Sequence, residues 1–257
     1  MRGQPRELVV ETFDGRGSQH AAVSAASRAN LSTMMFGDHV SPADTVAPTE
    51  WIEQSCRGEW WTVGALVPNQ YESLLRVFAP VPGHDGWWSA YRELFEVVVS
   101  IGEHHTSSPD RGWFAIWEGH GFDNAGTRVA WRDPPVDEEE RRARDAERAQ
   151  LRDEDQRRNA AIRAELNRFP RFDRPGRTYY LLQGPLRAVS QLRYPDSRDW
   201  RNPDLFWPDD RRWFVATDVD FWSIYVGGRS SFIAELADAV PTRSEPVELD
   251  LPLEIED

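Results

Sequence analysis

Three segments constrain what this chain can fold into: SPDRGWFAIWEGHGF at 108–122, GRTYYLLQGPL at 176–186 and NPDLFWPDDRRWFVATDVDFWSIYVGG at 202–228. Each opens with turn-forming residues and runs into aromatic and β-branched side chains, the pattern of a strand entered from a turn. Trp113 to Trp117 is apolar at successive positions, as in a central strand covered on both faces. The chain holds 12 Trp in 257 residues, and side chains that wide are expected mostly inside. That length can bury one sizeable core or two small ones, and the hydrophobic pattern favours one.

Composition removes whole classes of chemistry. The 30 basic side chains are all Arg and the sequence has no Lys, so Schiff-base lysines, lysine general bases and the P-loop lysine are excluded. A net charge of -13 repels a phosphate backbone, and no nucleic-acid partner is expected. The single cysteine, Cys56, rules out an intramolecular disulfide and a thiolate-rich zinc site. No run approaches the roughly 18 apolar residues of a membrane helix. Met1 to Val10 lacks an export-type apolar core. The expectation is a soluble cytoplasmic protein with no membrane contact and no cofactor.

Residues 1–50 are rich in Ser, Ala, Gly and Thr and read as a polar N-terminal arm. Residues 51–257 read as one α+β domain with a charged helical insertion at 136–168. Within it, Trp60 to Val67 suits a strand. Tyr71, Leu74, Leu75 and Phe78 have helical spacing, and Ser89 is a candidate cap for a helix burying Tyr91, Leu94, Phe95 and Val98. Glu138 with Arg142 and Glu140 with Arg144 lie four apart, as on a solvated helix whose far end, Ile162, Leu166 and Phe169, could dock on the body or on a partner. Phe232, Ile233, Leu236 and Val240 mark a last helix. The tail, Val247 to Ile255, alternates like an edge strand. The architecture expected is a mixed, partly antiparallel sheet of about five or six strands with packed amphipathic helices.

The three segments resemble a family of actinobacterial proteins with the pattern TPDRxWF, then GRxYxLxxGPL, then NLWWPxDRxWxVATxxDxxxTYVGG. The likeness spans residues 60–240 and departs at Phe206, Trp222 and Ile224 and in the long insert. That family has no established activity, so the resemblance implies bacterial origin and domain limits. LVPNQYESLLRVF at 66–78 and the aromatic strand pair before the last helix are similar to the α+β immunity proteins that bind partner toxins.

Several groupings could carry chemistry. His104, Glu118 and His120 form a candidate metal set, with Glu118 and His120 on one face of a strand; exposed rim histidines are the bland alternative. Asp209, Asp210, Asp218 and Asp220 could supply paired carboxylates or serve turns. Asp110-Arg111 and Asp210-Arg211 each precede a Trp and could pin their turns. Exposed instead, Arg111, Arg177, Arg211 and Arg229 with Trp113, Tyr179, Trp207 and Tyr225 would make an anion-tolerant aromatic cleft. The Gly227-Gly228 pair before a helix is a turn or a phosphate cradle.

These readings favour a noncatalytic protein that binds another protein, of immunity or regulatory type, through an aromatic and acidic surface. Arg111, Trp113, Trp117, Glu118, His120, Trp207, Arg211, Asp218, Asp220, Tyr225 and Arg229 are its candidate binding residues. The alternative is an enzyme or small-ligand receptor with a cleft around Trp113, His120, Asp218 and Tyr225. Convergence of His120, Asp218 and Arg211 in one pocket would favour that alternative.

Overall fold

In the computed structural model of the protein, residues 7–12, 36, 39–56, 59, 61–79, 87–120, 127–132, 137–193, 200–218 and 223–253 are described. The elements run β1 (Glu7–Thr12), β2 (Ser41–Pro42), α1 (Glu50–Ser55), α2 (Val63–Leu66), β3 (Ser73–Phe78), α3 (Trp87–Gly102), β4 (Gly112–Trp117) and β5 (Thr127–Arg132). They continue with α4 (Glu138–Leu166), β6 (Arg171–Arg174), β7 (Arg177–Gly184), β8 (Leu205–Pro208), β9 (Trp213–Ala216), β10 (Ser223–Gly228), α5 (Ser230–Ala239) and β11 (Ser244–Pro246). The main sheet has nine strands in the order β11-β3-β10-β9-β8-β4-β7-β2, with β6 beside β7. Its pairings are all antiparallel. β1 and β5 form a separate antiparallel ribbon, Glu7 opposite Arg132.

The α+β class holds, but the expected mixed sheet of five or six strands becomes an antiparallel sheet of nine. β2, β6 and β11 span two, four and three residues, too few to show an alternation in sequence. β2 and β11 carry Pro42 and Pro246 at the sheet margins, where a missing N–H costs no ladder bond.

Alternation along the long strands feeds two interiors. Phe114 and Ile116 of β4, Leu182 of β7, Phe206 of β8, Val215 of β9 and Val226 of β10 face a core completed by α3, α5 and the 3-10 turn Leu186–Gln191. Trp113 and Ala115, Leu181, Trp207, Phe214 and Tyr225 face a second core with Trp51 and Ile52 of α1, Val63, Val67 and Val247. Both sheet faces are therefore dry, which is why the aromatic segments are apolar at consecutive positions. Aromatic pairs tie the layers: Trp207 stacks on Phe214 at 5.6 Å between ring centroids, and Trp51 meets Phe214 edge-on at 5.8 Å.

Upstream of residue 51, Phe36 and Val40 reach the first core, Ala43 the second, and Ser41 pairs with Gln183. α4 is the expected charged helix, capped by the Asp137 side chain accepting from the Glu140 N–H at 2.8 Å. Its far end docks on its own body: Ile162, Leu166 and Phe169 are buried in the first core. α3 begins at Trp87, so Ser89 lies inside it, but Tyr91, Leu94, Phe95 and Val98 are buried as expected.

Three expectations are corrected. Ser73 to Phe78 is a strand, because Leu75 and Val77 enter one core while Leu74 enters the other; a strand buried on both faces mimics helical spacing over so few residues. Arg76 is tolerated there, 5 % exposed, through Ser223 Oγ at 3.0 Å and the Phe78 ring at 4.6 Å. The described part of 60–67 is a turn and α2, whose Val63 and Gly64 N–H groups donate to Leu251 and Leu249. Those bonds draw the tail across the second core, so only Ser244–Pro246 forms a strand; Ile255 lies outside the described residues. Among the described residues, no helix is long and apolar enough to cross a membrane.

Candidate functional site

Antiparallel strands gather their ends at two rims, and the polar residues sort between them. At the first rim, Trp117 lies opposite Tyr179, Ala115 opposite Leu205 and Leu205 opposite Ala216. This brings together the residues leaving β4 and β9 and those entering β7 and β8. Asp204, 3 % exposed, is the hub. Its carboxylate accepts from the Trp117 N–H at 2.7 Å and lies 2.9 Å from His120 Nε2 and 3.5 Å from Arg201 Nη2. Arg201 Nη2 also contacts His120 Nε2.

Around this hub, the Arg177 guanidinium lies 4.2 Å from the Trp117 ring and 2.5 Å from the Asp218 carboxylate. Tyr91 OH pairs with Thr217 Oγ1 at 2.8 Å. Burial pushes the Tyr91 phenol up to about 12, against the opposing pull of the Thr217 hydrogen bond and the Arg201 charge. The arrangement has the composition of an acid–base site. Its geometry is that of an internal clasp: the nitrogen that His120 directs at Asp204 is already in contact with two partners, and the side chains of His120 and Asp204 are 6 % and 3 % exposed.

At the second rim, Gly112 lies opposite Pro208 and Gly184, and Gly228 opposite Trp213 and Ser73. The turns 108–111 and 208–211 close alike, with Arg111 N–H on Ser108 O at 3.1 Å and Arg211 N–H on Pro208 O at 2.9 Å. They are stapled together by carboxylates. Asp209 takes the Trp113 indole N–H at 2.9 Å and Arg111 at 3.2 Å. Asp210 takes Thr106 Oγ1 at 2.7 Å, the Ser107 N–H at 2.6 Å and Ser107 Oγ at 2.8 Å. Burial of Asp210 would raise its carboxyl, but the bonds from Ser107, Thr106 and the Arg212 N–H outweigh it and hold the group below its ordinary value. The pins are thus Asp209 and Asp210; Asp110 pairs with exposed Arg187 at 3.1 Å.

Beside these staples an open cleft of about 150 Å³ is lined by Gln70, Tyr71, Glu72, Arg211, Arg212, Gly228 and Arg229. Arg211 has φ 58, the only positive φ of a non-glycine among the described residues. Its guanidinium lies 5.2 Å from the Trp51 ring, and Tyr71 OH donates to its carbonyl at 3.3 Å. Burial pushes the Tyr71 phenol far above its usual range, so it remains a donor. Glu72 occupies the start of α5, accepting from the Ser230 N–H at 3.2 Å. Gly227-Gly228, expected as a turn or a phosphate cradle, instead end β10 opposite Phe214 and Trp213.

The candidate residues therefore divide. Trp117, Glu118, His120 and Asp218 belong to the first rim; Arg111, Arg211 and Arg229 to the second. Trp113, Trp207 and Tyr225, 8 %, 0 % and 1 % exposed, belong to the core. No single aromatic cleft forms from them, because the apolar partners face inward and Arg177 stands at the opposite rim from Arg211. Asp220 lies outside the described residues. The metal set does not assemble. His104 precedes β4 and His120 follows it, so a six-residue strand of roughly 20 Å separates them. Glu118 lies in a 3-10 turn instead of a strand and pairs with Arg171 at 3.3 Å. No group of three or more potential metal ligands occurs among the described residues.

Sequence reasoning missed Asp204 and Arg201. The available signal was a charged pair three apart in RNPD, directly before a wholly apolar strand. Comparison of the chain with protein-family models, with curated proteins and with solved structures finds no match.

Proposed function

We propose that this chain is a noncatalytic protein that binds another protein, as immunity and regulatory proteins do, through the arginine-bearing rim of its sheet. The observation that carries the reading is the division of labour between the rims. The residues suited to proton transfer, His120, Asp204 and Asp218, are clasped inside the first rim. The exposed arginines surround an open cleft at the second. Arg and Tyr beside a rigid sheet end are the residue types that anchor protein interfaces. Trp113, expected at the surface, instead helps hold that rim in place by its bond to Asp209, and Trp51 lies under Arg211.

The test uses the full chain and its Arg212→Glu/Arg229→Glu variant as paired baits in an actinobacterial lysate. The expected result is one partner held stoichiometrically by the parent and lost by the variant. A metal or small molecule that adds mass in a native spectrum of the purified chain, with no such partner, would overturn the reading in favour of a ligand receptor or enzyme.

A further inference from the structure

We infer that the cleft between β10, the 208–211 turn and the start of α5 is a carboxylate-recognition site for an acidic segment of the partner protein. The inference rests on the protein-binding reading above and names the chemistry of the contact. Three guanidiniums, those of Arg211, Arg212 and Arg229, share the cleft with the single carboxylate of Glu72. Glu72 is turned to the Ser230 N–H and hydroxyl, at 3.2 and 3.4 Å. The lining of the cleft is therefore locally basic on a chain of net charge -13. Long-range repulsion from that net charge is screened beyond about 8 Å at physiological salt, so the local charge governs docking.

The turn that carries Arg211 and Arg212 is fixed before any ligand arrives. Arg211 is fixed at φ 58 by its turn, by Tyr71 on its carbonyl and by the Trp51 ring beside its guanidinium. Arg212 follows in the same turn, its N–H on Asp210 at 3.2 Å and its Nε a loose 3.9 Å from that carboxylate. Arg229 is the exposed residue capping α5: its carbonyl accepts from the Ile233 N–H at 3.1 Å, and its side chain makes no capping bond. A planar fork of donors matches a carboxylate bidentately, and prior ordering of the Arg211 side chain lowers the entropy lost on binding. Gly228 is set by the packing beneath the cleft: a Cβ there would lie 2.5 Å from the ring of buried Phe232.

Fluorescence anisotropy with a short labelled Asp/Glu-rich peptide tests the site, with the Asn/Gln isostere and inorganic phosphate as competitors. Saturable binding of the acidic peptide is expected. Arg212→Gln/Arg229→Gln should weaken it by about tenfold or more, and the isostere should compete poorly. These exposed side chains carry little of the fold, and the circular dichroism of the variant serves as its control. Equal binding of peptide and isostere, an unchanged variant, or displacement by phosphate at concentrations matched to the peptide would each overturn the inference. If the partner captured from lysate is still lost with the charge-reversed bait while the acidic peptide fails, the carboxylate assignment falls and the protein-binding reading stands.

Discussion

Asp210→Asn tests whether the second rim is held by charge or merely by shape. Asp210 joins the turn after α3 to the turn before β9: Oδ2 accepts from the Ser107 N–H and hydroxyl at 2.6 and 2.8 Å, and Oδ1 from Thr106 Oγ1 and the Arg212 N–H at 2.7 and 3.2 Å. An amide keeps the second pair and sets an NH₂ against the Ser107 donor. Charge-assisted hydrogen bonds contribute about 1.5–3 kcal/mol each, reduced here because the side chain is 17 % exposed. The expected loss is about 2 kcal/mol, or roughly 4–8 °C in Tm for a chain of this size. The sign of its pH dependence follows from the depressed carboxyl. The folded value lies below the unfolded 3.8, so the contribution is complete well above that value and is lost as pH falls through the folded one. Urea unfolding of both proteins at about pH 7, 5, 4 and 3 should show a gap that is full at the first two and narrows at the last. A gap that persists undiminished at the lowest pH, or is absent at neutrality, would refute the charge argument.

Asp204→Ala removes the acceptor from the Trp117 N–H, His120 and Arg201 and leaves Arg201 buried with less compensation; chemical denaturation should show a loss of about 3–5 kcal/mol. Gly102→Ala would place a Cβ 2.7 Å from the Trp213 ring, whose indole N–H donates to Gly102 O at 3.0 Å. A loss of about 1–3 kcal/mol and altered tryptophan fluorescence are expected. Leu166→Ala empties a buried site under the end of α4 and should cost about 2–5 kcal/mol. Hydrogen exchange should then show faster opening at the C-terminal turns of that helix, which a free-standing helix would not.

Legibility followed pattern length. β4 and β7 could be read because six to eight consecutive residues carry the signal, and α4 because Glu–Arg pairs at helical spacing open a long charged run. β3 could not, since SLLRVF buries both faces and its polar Arg76 depends on partners distant in sequence, among them Ser223 of β10 and Glu245 of β11. The tail misled in the opposite sense. Its alternating Val247, Leu249 and Leu251 do face a core, but two of their carbonyl and amide groups serve α2 instead of a strand. At the candidate sites, Arg and Asp were correctly singled out in the SPDR and PDDR turns, yet which of them is a staple and which is free depends on contacts about 100 residues apart in sequence.

Those contacts explain the form of the second rim. A turn in which Asp209 bonds Trp113 and Asp210 bonds Ser107 is fixed at its acidic positions, so the arginines that follow need not neutralise them. Arg211 then occupies a left-handed backbone position where glycine would be cheaper, since a side chain there costs about 1–2 kcal/mol. Nothing in the turn requires a guanidinium at that place, because the Arg211 N–H closes it and Tyr71 reaches only the carbonyl. The side chain itself meets the face of Trp51 and the open cleft. A stacking contact worth about 0.5–1 kcal/mol at an exposed site does not offset the backbone cost. The balance points outward, to a function for the guanidinium in the cleft. Arg211→Gly should accordingly bind the acidic peptide more weakly while unfolding no more easily than the parent, and its thermal midpoint should exceed that of Arg211→Ala. A glycine variant that loses stability and keeps its affinity would make Arg211 a structural residue and remove it from the site.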